Sequence, residues 1–316
     1  GHTKLNAPGG AKTEVVLAAE LRFLMNGVTS AASAGGADGL VRNVDSTAAQ
    51  LEGLPLKIVN SQTFPLKDSG ITTFPTACSG YSASRDKTST ALSYDGYLPH
   101  ISEGIGPEAR LEFTCQDVEP NDLIQKQTAV IHGIAMTPTD VAEYRNDQAA
   151  LIWSPRSNVS LYGDTAMVTL FDNSGVQIAL GTDWLPSGSM NMSRELACAD
   201  ELNKKYYGGH FTDKQLWQMV TTNAAFAIGA QNIIGMLKPG YVADVAIYNA
   251  KTSKGYRAVI DATADDTILV LRGGVSLYGG YAVDDWARRS ATSGTSIVTA
   301  NGVSGAIEST VACIGT

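Results

Sequence analysis

The chain has 316 residues, of which 44% are apolar and 17% charged, and its net charge is −8. This supplies enough apolar material for one large domain, or for one large and one small domain. The negative charge and the lack of Lys/Arg runs argue against nucleic-acid binding, because phosphate contacts require clustered cations. No stretch approaches the roughly 20 consecutive apolar residues of a transmembrane helix, so we expect no membrane span.

The N-terminal part of the chain alternates between helix-like and strand-like segments. Apolar residues at helical spacing predict a helix over Thr13–Met25. Strands are predicted at 28–34 and 56–62, and the segment 37–51 between them is weakly helical. Residues 64–95 are the least regular part of the chain.

The middle of the chain continues the alternation with more strongly apolar strands. Two strands are predicted to end at His100 and His132, and another spans Val176–Thr182. Ala149–Trp153 is continuously apolar, which is typical of a parallel strand covered on both faces.

Helix starts and a change of character mark the remainder. Thr137-Pro-Thr-Asp140 and Thr212-Asp-Lys-Gln215 carry N-cap signals and predict helix starts. Short strands are predicted at 245–248 and 267–272, within a turn-rich region. Residues 287–316 are low in complexity.

These elements predict an α/β protein. Polar residues recur after successive strands, which favours a (β/α)8 TIM-like barrel over a doubly wound sheet. We therefore predict a barrel domain at 1–235, a small β-sandwich appendage at 236–286 and a C-terminal tail at 287–316. No dinucleotide or P-loop fingerprint is present.

Side chains with metal-binding chemistry follow three of the strands. His100 and His132 close their strands, and Asp183 follows the strand at 176–182, before a Pro/Ser/Gly loop. Two imidazoles and a carboxylate with an open position for water form a standard hydrolytic metal site. We predict that His100, His132 and Asp183 bind a divalent metal, with zinc favoured.

Hydrolysis also requires proton transfer between water and the leaving group. Glu103, three residues after His100, is the candidate proton carrier. His132 is also a candidate for polarising a substrate carbonyl, and Asp183 for orienting the water. We therefore predict Glu103, His132 and Asp183 as catalytic residues.

Each of these residues also has a structural explanation. A lone histidine is more often hydrogen-bonded in a structural role than a ligand, and Glu103 suits a solvated loop. Asp183 suits a cap for the helix that follows it. Ser154 or Ser187 as a nucleophile is a weaker alternative, because neither lies in a GxSxG elbow.

The four cysteines form no CxxC pair, which argues against a structural zinc site. Cys78 and Cys115 flank one irregular region and are candidates for a disulfide, while four thiols in a cytosolic enzyme remain the alternative. The low lysine content and the Ser/Thr/Gly-rich sequence slightly favour a secreted or periplasmic protein.

The order and spacing of several short motifs resemble the amidohydrolase superfamily, in the branch of metal-dependent deaminases and cyclic-amide hydrolases. The resemblance covers roughly residues 14–280. It is carried by Gly27-Val-Thr29, His100-x-x-Glu103, Ile131-His132-Gly133, Trp153-Ser-Pro-x-Ser-Asn158 with Leu161-Tyr-Gly163, Leu180-Gly-Thr-Asp183, and the run from Thr222-Asn-Ala-Ala225 to Gly240-x-x-Ala-Asp244.

The resemblance implies a role for each matching residue. His100 resembles the family's metal ligand on barrel strand five, and Glu103 resembles its proton shuttle. His132 resembles the strand-six histidine. Asp183 resembles the strand-eight aspartate that binds metal and activates water, and Asp244 a structural turn of the family's β-sandwich.

One departure concerns the first barrel strand. The family opens its barrel with a His-x-His pair, and this sequence contains none. Three explanations are open: the segment belongs to a separate or cleaved chain, it is missing from this sequence, or the protein has lost its metal. We favour a missing or separate N-terminal segment that completes the barrel, because the other site residues remain.

The sequence therefore predicts an enzyme, a hydrolase of a C–N bond in an amide, cyclic amide or amidine that uses metal-activated water. One alternative is a non-catalytic barrel that acts as a binding or scaffold protein. Another is the same site acting on an ester, a lactone or a dipeptide. The expected partner is a small-molecule substrate, and a homo-oligomer is left open.

Overall fold

A computed structural model describes residues 11–32, 36–279 and 312–313. The helices are α1 Thr13–Leu24, α2 Thr88–Ala91, α3 Pro107–Thr114, α4 Pro138–Asn146, α5 Pro155–Tyr162, α6 Val168–Asn173, α7 Met192–Lys205, α8 Asp213–Met219, α9 Thr222–Ala227 and α10 Tyr256–Ile260. The strands are β1 Val28–Ala31, β2 Arg42–Asn43, β3 Asn60–Gln62, β4 Tyr97–Ile101, β5 Ala129–His132, β6 Ala150–Trp153, β7 Ile178–Leu180, β8 Val245–Tyr248, β9 Thr267–Arg272, β10 Val275–Gly279 and β11 Ala312–Cys313.

The protein is an α/β fold built around a parallel sheet in which chain order equals spatial order. The sheet runs β3-β4-β5-β6-β7, and helices connect each strand to the next. Parallel neighbours need such crossover connections, since a tight turn would reverse the chain direction. All five carboxyl ends therefore lie at one edge of the sheet.

The central strands are buried on both faces, as their continuous apolar sequences predict. In β5, Val130 belongs to one apolar cluster, and Ala129 and Ile131 belong to another. This division follows the two-residue period of a strand, in which alternate side chains point to opposite faces. The Val130 cluster includes residues of α4, α6 and α7, and the other includes residues of α9.

The described residues form two further sheets of three strands each. β1 pairs in parallel with β2 and β11, and β8, β9 and β10 form an antiparallel sheet. A buried ion pair links them, because the guanidinium of Arg42 in β2 donates to both carboxylate oxygens of Asp244 at 2.5 and 3.1 Å. The Thr29 hydroxyl and the Gly273 N–H also donate to this carboxylate.

A disulfide joins the irregular segment 64–95 to the end of helix α3. Cys78 and Cys115 are bonded, which confirms the candidate pair and joins this segment to the residue that ends α3. Leu66 and Tyr81 pack beside Cys115 in a small apolar cluster.

Within the part of the chain that the structure describes, no helix has the length and apolarity to cross a membrane.

Most predicted elements are found, with instructive exceptions. The strands predicted at 245–248 and 267–272 have those bounds, and Thr137 and Thr212 cap α4 and α8 as expected. The weak helix predicted over 37–51 is wrong. That segment holds the strand Arg42–Asn43 and one 3-10 turn. Its helix propensity is low, and Arg42–Asn43 pairs with β1 instead.

Some predictions are shortened or fall outside the described residues. The strand predicted at 56–62 spans only Asn60–Gln62. The strand predicted at 28–34 ends at Ala31, and residues 33–35 lie outside the described part. Most of the tail predicted at 287–316 also lies outside the described residues.

The Arg42–Asp244 pair generates a stability prediction. Arg42→Met leaves the Asp244 carboxylate buried without its cation, and breaking a buried pair in this way costs about 3–5 kcal/mol. Chemical denaturation should show this fall in the free energy of unfolding. Adding Asp244→Asn to Arg42→Met should recover part of the loss, because the uncompensated charge is removed.

A matched control uses an exposed pair. Lys57 is 72% exposed beside Asp95, so Lys57→Met should leave the free energy of unfolding nearly unchanged. A loss for Arg42→Met as small as that for Lys57→Met would contradict a structural role for the buried pair.

Candidate active site

The parallel register brings the predicted metal ligands to one edge of the sheet. His100 of β4 pairs with Ile131 of β5, and Ile101 pairs with His132, so the two imidazoles lie on neighbouring strands. Their ring centroids are 5.2 Å apart. Asp183 follows β7 by three residues and reaches the same edge from two strands away.

His100, His132 and Asp183 form one cluster. One ligand atom from each lies within 4.8 Å of the other two. His132 Nε2 and Asp183 Oδ2 are 3.9 Å apart, and both are buried without a hydrogen-bond partner among the described residues. Such atoms are costly to bury unless they bind something. Small side-chain movements would bring all three ligand atoms within the ~2.0–2.2 Å of bound zinc, so the donor set fits a divalent metal.

His132 is completely buried, and a hydrogen bond at Nδ1 fixes the orientation of its ring. Its Nδ1 lies 2.9 Å from Asn158 Oδ1, and Asn158 Nδ2 donates to the Thr165 hydroxyl at 3.1 Å. Trp153 Nε1 also donates to that hydroxyl at 2.8 Å. With the amide in this orientation, His132 Nδ1 carries the proton and Nε2 presents its lone pair to the cluster.

His100 faces the cluster with a neutral ring. Its Nδ1 lies 3.2 Å from the carbonyl oxygen of Gln62, which accepts a hydrogen bond from it. Removal from bulk water, reinforced by neighbouring His132, lowers the pKa of His100 to about 4. A neutral imidazole is the form that binds metal.

Glu103 lies beside the same cluster. Its Oε1 accepts a hydrogen bond from the Tyr162 hydroxyl at 2.8 Å and lies 3.7 Å from His132 Nε2. Below the loop, Glu112 Oε2 accepts the N–H of Ser102 at 2.9 Å and also binds the backbone of Glu103. Burial, aided by the charge of Asp68, raises the pKa of Glu112 to about 8.

Asp183 is held in a tight loop. The Ser189 N–H donates to the Thr182 carbonyl at 3.0 Å, and the Gly188 N–H donates to the Trp184 carbonyl at 2.7 Å. A Cβ at Gly188 would lie 1.9 Å from the Thr182 carbonyl oxygen, so this position requires glycine. Asp183 does not cap the following helix.

The cap of α7 comes from a different residue. Asn191 is the N-cap, and its side chain accepts the N–H of Arg194 at 3.0 Å. The helix-cap explanation of Asp183 is therefore wrong. The two serines considered as nucleophiles also differ in their surroundings, since Ser187 bonds Ser157 at 2.8 Å while Ser154 Oγ is buried without a partner in the described part of the chain.

Three site residues adopt left-handed backbone conformations that L-residues rarely use. The φ angles are 57° at Ser102, 80° at His132 and 56° at Asp183. Such conformations cost on the order of 1–3 kcal/mol each and concentrate where function requires a particular side-chain direction. Here they coincide with the ends of β4, β5 and β7.

Several site residues had no role predicted from the sequence. Asn158 and Tyr162 lie in motifs that were recognised, but which face of α5 meets the site depends on packing. No motif in the sequence pointed to Glu112. Glu195 of α7 is 0% exposed, and it accepts the N–H of Arg156 at 3.1 Å near the Asp183 loop.

A family model and several relatives match this chain. The model of the amidohydrolase family matches residues 91–275, more than half of the sequence, so the chain belongs to the amidohydrolase family. The 5-methylthioadenosine/S-adenosylhomocysteine deaminase of Clostridium tetani is 26% identical over 156 residues, which are 47% of this chain and 36% of that protein. The protein of the same name from Teredinibacter turnerae is 36% identical over 124 residues, 37% of this chain and 28% of that one. The chain spans about a third of the length of the curated relatives that it matches.

Solved structures share the fold. A zinc complex of atrazine chlorohydrolase from Arthrobacter aurescens has a TM-score of 0.59 at 14% identity, covering 85% of this chain and 72% of that one. A zinc-bound adenosine deaminase from Xanthomonas campestris has a TM-score of 0.54 at 18% identity, covering 62% and 48%. At these identities the likeness is one of fold.

Asn158 generates a prediction on metal affinity. Asn158→Leu removes the acceptor for His132 Nδ1–H and should weaken Zn²⁺ binding by roughly 10–100-fold, as outer hydrogen-bond partners of ligands do. Asn158→Asp keeps an acceptor oxygen and should retain the affinity. Chelator competition measures both. Equal affinities for the Leu and Asp variants would contradict this role.

Glu195 generates a prediction on pH. Burial raises its pKa to about 7, so the folded state holds a proton that the unfolded state has released. Its contribution to stability is complete below the unfolded pKa and is lost as pH rises through about 7. Between pH 5 and 8 the wild type should lose on the order of 1–3 kcal/mol more than Glu195→Gln.

The measurement is chemical denaturation of both proteins at pH 5, 6.5 and 8. Glu195→Gln keeps an acceptor for the Arg156 N–H, so it is matched in shape and hydrogen bonding. Only the difference between the two profiles is informative, since Glu112 also has a raised pKa. Parallel profiles would show that Glu195 does not titrate in this range.

Proposed function

We propose that this protein is a metal-dependent hydrolase of a C–N bond in a small molecule, and that zinc is its metal. The observation that carries the proposal is the cluster of His100, His132 and Asp183, whose ligand atoms lie within 4.8 Å of one another. Two of these atoms are buried without hydrogen-bond partners in the described structure. Relatives with the same fold that are complexed with zinc support the choice of metal.

The fold proposed for this activity is a (β/α)8 barrel. The sequential parallel order of β3 to β7 supports it, as do the amidohydrolase structures of the same fold. The proposed barrel domain is 1–235, with a β-sandwich appendage at 236–286 and a tail at 287–316. An N-terminal segment or a separate chain is proposed to supply the first barrel strand.

His100, His132 and Asp183 are proposed to hold the metal. A bound divalent ion acts as a Lewis acid and lowers the pKa of water toward neutrality. His132 Nε2 is the ring nitrogen that faces the cluster, because Nδ1 is bonded to Asn158. This atom suits either ligation or polarisation of the substrate at its reacting carbon.

Glu103 and Asp183 are proposed to move protons. Both carboxylates lie within 4 Å of His132 Nε2, so they border the same reacting position. Asp183 receives a proton from the attacking water, and Glu103, in its protonated form, delivers one to the departing nitrogen. Exchange with solvent then returns Asp183 to the ionised form and Glu103 to the protonated form. The C–O bond forms, the C–N bond breaks, and the amine leaves with the added proton. General acid–base transfer of this kind contributes roughly 10²–10⁴-fold in rate.

An amidine in an adenine-type ring is the proposed substrate class. The relatives that match this chain are named as deaminases of 5-methylthioadenosine, S-adenosylhomocysteine and 5'-deoxyadenosine. Deamination of adenine replaces the exocyclic amino group on an sp² ring carbon by an oxygen atom from water and releases ammonia. This is the chemistry for which the Glu103 and Asp183 arrangement is suited.

A secreted or periplasmic location is also proposed. The Cys78–Cys115 disulfide supports it, since disulfides persist in oxidising compartments. A homo-oligomer remains compatible with the proposal and would be measured by light scattering.

The test uses the complete polypeptide that contains this chain, loaded with Zn²⁺. Ammonia release from adenosine, 5'-methylthioadenosine and S-adenosylhomocysteine should be measured beside a cyclic amide, a dipeptide and a lactone. We expect deamination, and a fall in kcat of roughly 10²–10⁴-fold for Asp183→Asn. His210→Asn, at a partly buried pair with Asp172, is the matched control and should retain activity.

The outcomes separate the alternatives. Hydrolysis of the dipeptide or the lactone alone would move the reaction to another bond. A complete polypeptide that binds no metal would contradict the proposal and favour a binding or scaffold protein.

A further inference from the structure

One face of α5 contacts both the imidazole and the acid of the site. Asn158 and Tyr162 are four residues apart, which places them one above the other on the same side of a helix. Asn158 bonds the His132 ring at 2.9 Å, and Tyr162 bonds the Glu103 carboxylate at 2.8 Å. The two contacts reach side chains on different strands and loops.

Other residues of α5 contact the loop that carries Asp183. Ser157 bonds Ser187 at 2.8 Å, and Ser187 lies in the loop that carries Asp183. At the start of the helix, the buried Glu195 side chain accepts the Arg156 N–H. The helix is thus fixed relative to the Asp183 loop.

Glu103 depends on such support. It follows Ser102, whose φ is 57°, and precedes Gly104, whose φ is 150°, so its backbone lies in an irregular loop. Glu112 binds this backbone from below through the Ser102 N–H, but that contact does not fix the rotation of the Glu103 carboxylate. The Tyr162 hydroxyl does, because it donates to one defined oxygen, Oε1.

We propose that Tyr162 is a positioning residue for Glu103, and that α5 sets the Glu103 carboxylate and the His132 ring in register through Tyr162 and Asn158. The inference rests on the proposed function for its kinetic consequence. Burial and the neighbouring charge of Glu103 raise the pKa of Tyr162, so its hydroxyl keeps the proton that it donates. Proton transfer requires heavy atoms about 2.6–3.2 Å apart, so a carboxylate that rotates away loses rate.

The kinetic test exploits the leaving group. Adenosine releases an amine that must receive a proton as the C–N bond breaks. 6-Chloropurine riboside releases chloride, which departs with the bonding electron pair and needs no proton. Tyr162→Phe should lower kcat for adenosine by roughly 10–100-fold, a part of the full acid–base contribution. It should lower kcat for the chloro compound by only a few-fold, with KM nearly unchanged for both.

A double-variant cycle shows whether Tyr162 acts through Glu103. Glu103→Gln alone and Glu103→Gln with Tyr162→Phe should have equal kcat values, because the hydroxyl has no carboxylate left to position. Tyr206→Phe, at a tyrosine that is 74% exposed, is the matched control. Additive losses in the cycle would overturn the proposal.

A crystal structure of metal-free Tyr162→Phe gives a readout independent of activity. The Glu103 carboxylate should leave its position 3.7 Å from His132 Nε2. A Glu103 carboxylate that keeps its position would overturn the proposal. Should the wild type hydrolyse neither riboside, the proposed adenine-type substrate class fails, and the displacement of Glu103 alone decides whether Tyr162 positions it.

Discussion

The site depends on the in-register parallel pairing of β4 with β5 and the sequential order of the sheet. Pairing of Ile101 with His132 places the ends of two strands side by side, and β6 carries the pattern across to β7 and Asp183. A slip of one residue would turn every side chain to the opposite face of the sheet. The buried Val, Ile and Leu residues of these strands oppose such a slip, because each face packs against its own apolar cluster. Packing in the core therefore determines the geometry at the edge.

Energetically unfavourable features concentrate at the edge of the sheet that carries the site. Left-handed backbones at His132 and Asp183, and buried polar atoms without hydrogen-bond partners among the described residues, are unfavourable on their own. They persist because the surrounding fold is over-determined by apolar packing and by buried polar contacts such as Arg42 with Asp244. A divalent cation in the cluster would offset part of this cost, since the His132 and Asp183 atoms would then bind it. At His132 and Asp183, a left-handed backbone and an unpartnered buried atom thus coincide with the ligand chemistry.

The sequence predicted most of this frame but not its supporting contacts. Continuous apolar runs predicted the buried strands, and the residue types at their ends predicted the cluster of His100, His132 and Asp183. The segment 37–51 was mispredicted because Arg42–Asn43 becomes a strand only through β1. The roles of Asn158 and Tyr162 were not predictable, since a helix face acquires meaning only when packing decides what it meets. The Cys78–Cys115 bond was one candidate among alternatives, because the sequence alone does not show which cysteines meet in the fold.

The residues that would select a substrate differ from those proposed for the chemistry. The residues proposed for chemistry lie at buried strand ends, where packing restricts substitution. Two residues beyond Glu103 and Asp183 the character changes, because Ile105 is 64% exposed and Leu185 is 53% exposed. Exposed loop side chains tolerate replacement without loss of the fold, and selectivity resides in such loops. Family membership therefore constrains the type of reaction more strongly than the substrate, and relatives that share this frame are free to differ in the molecules they accept.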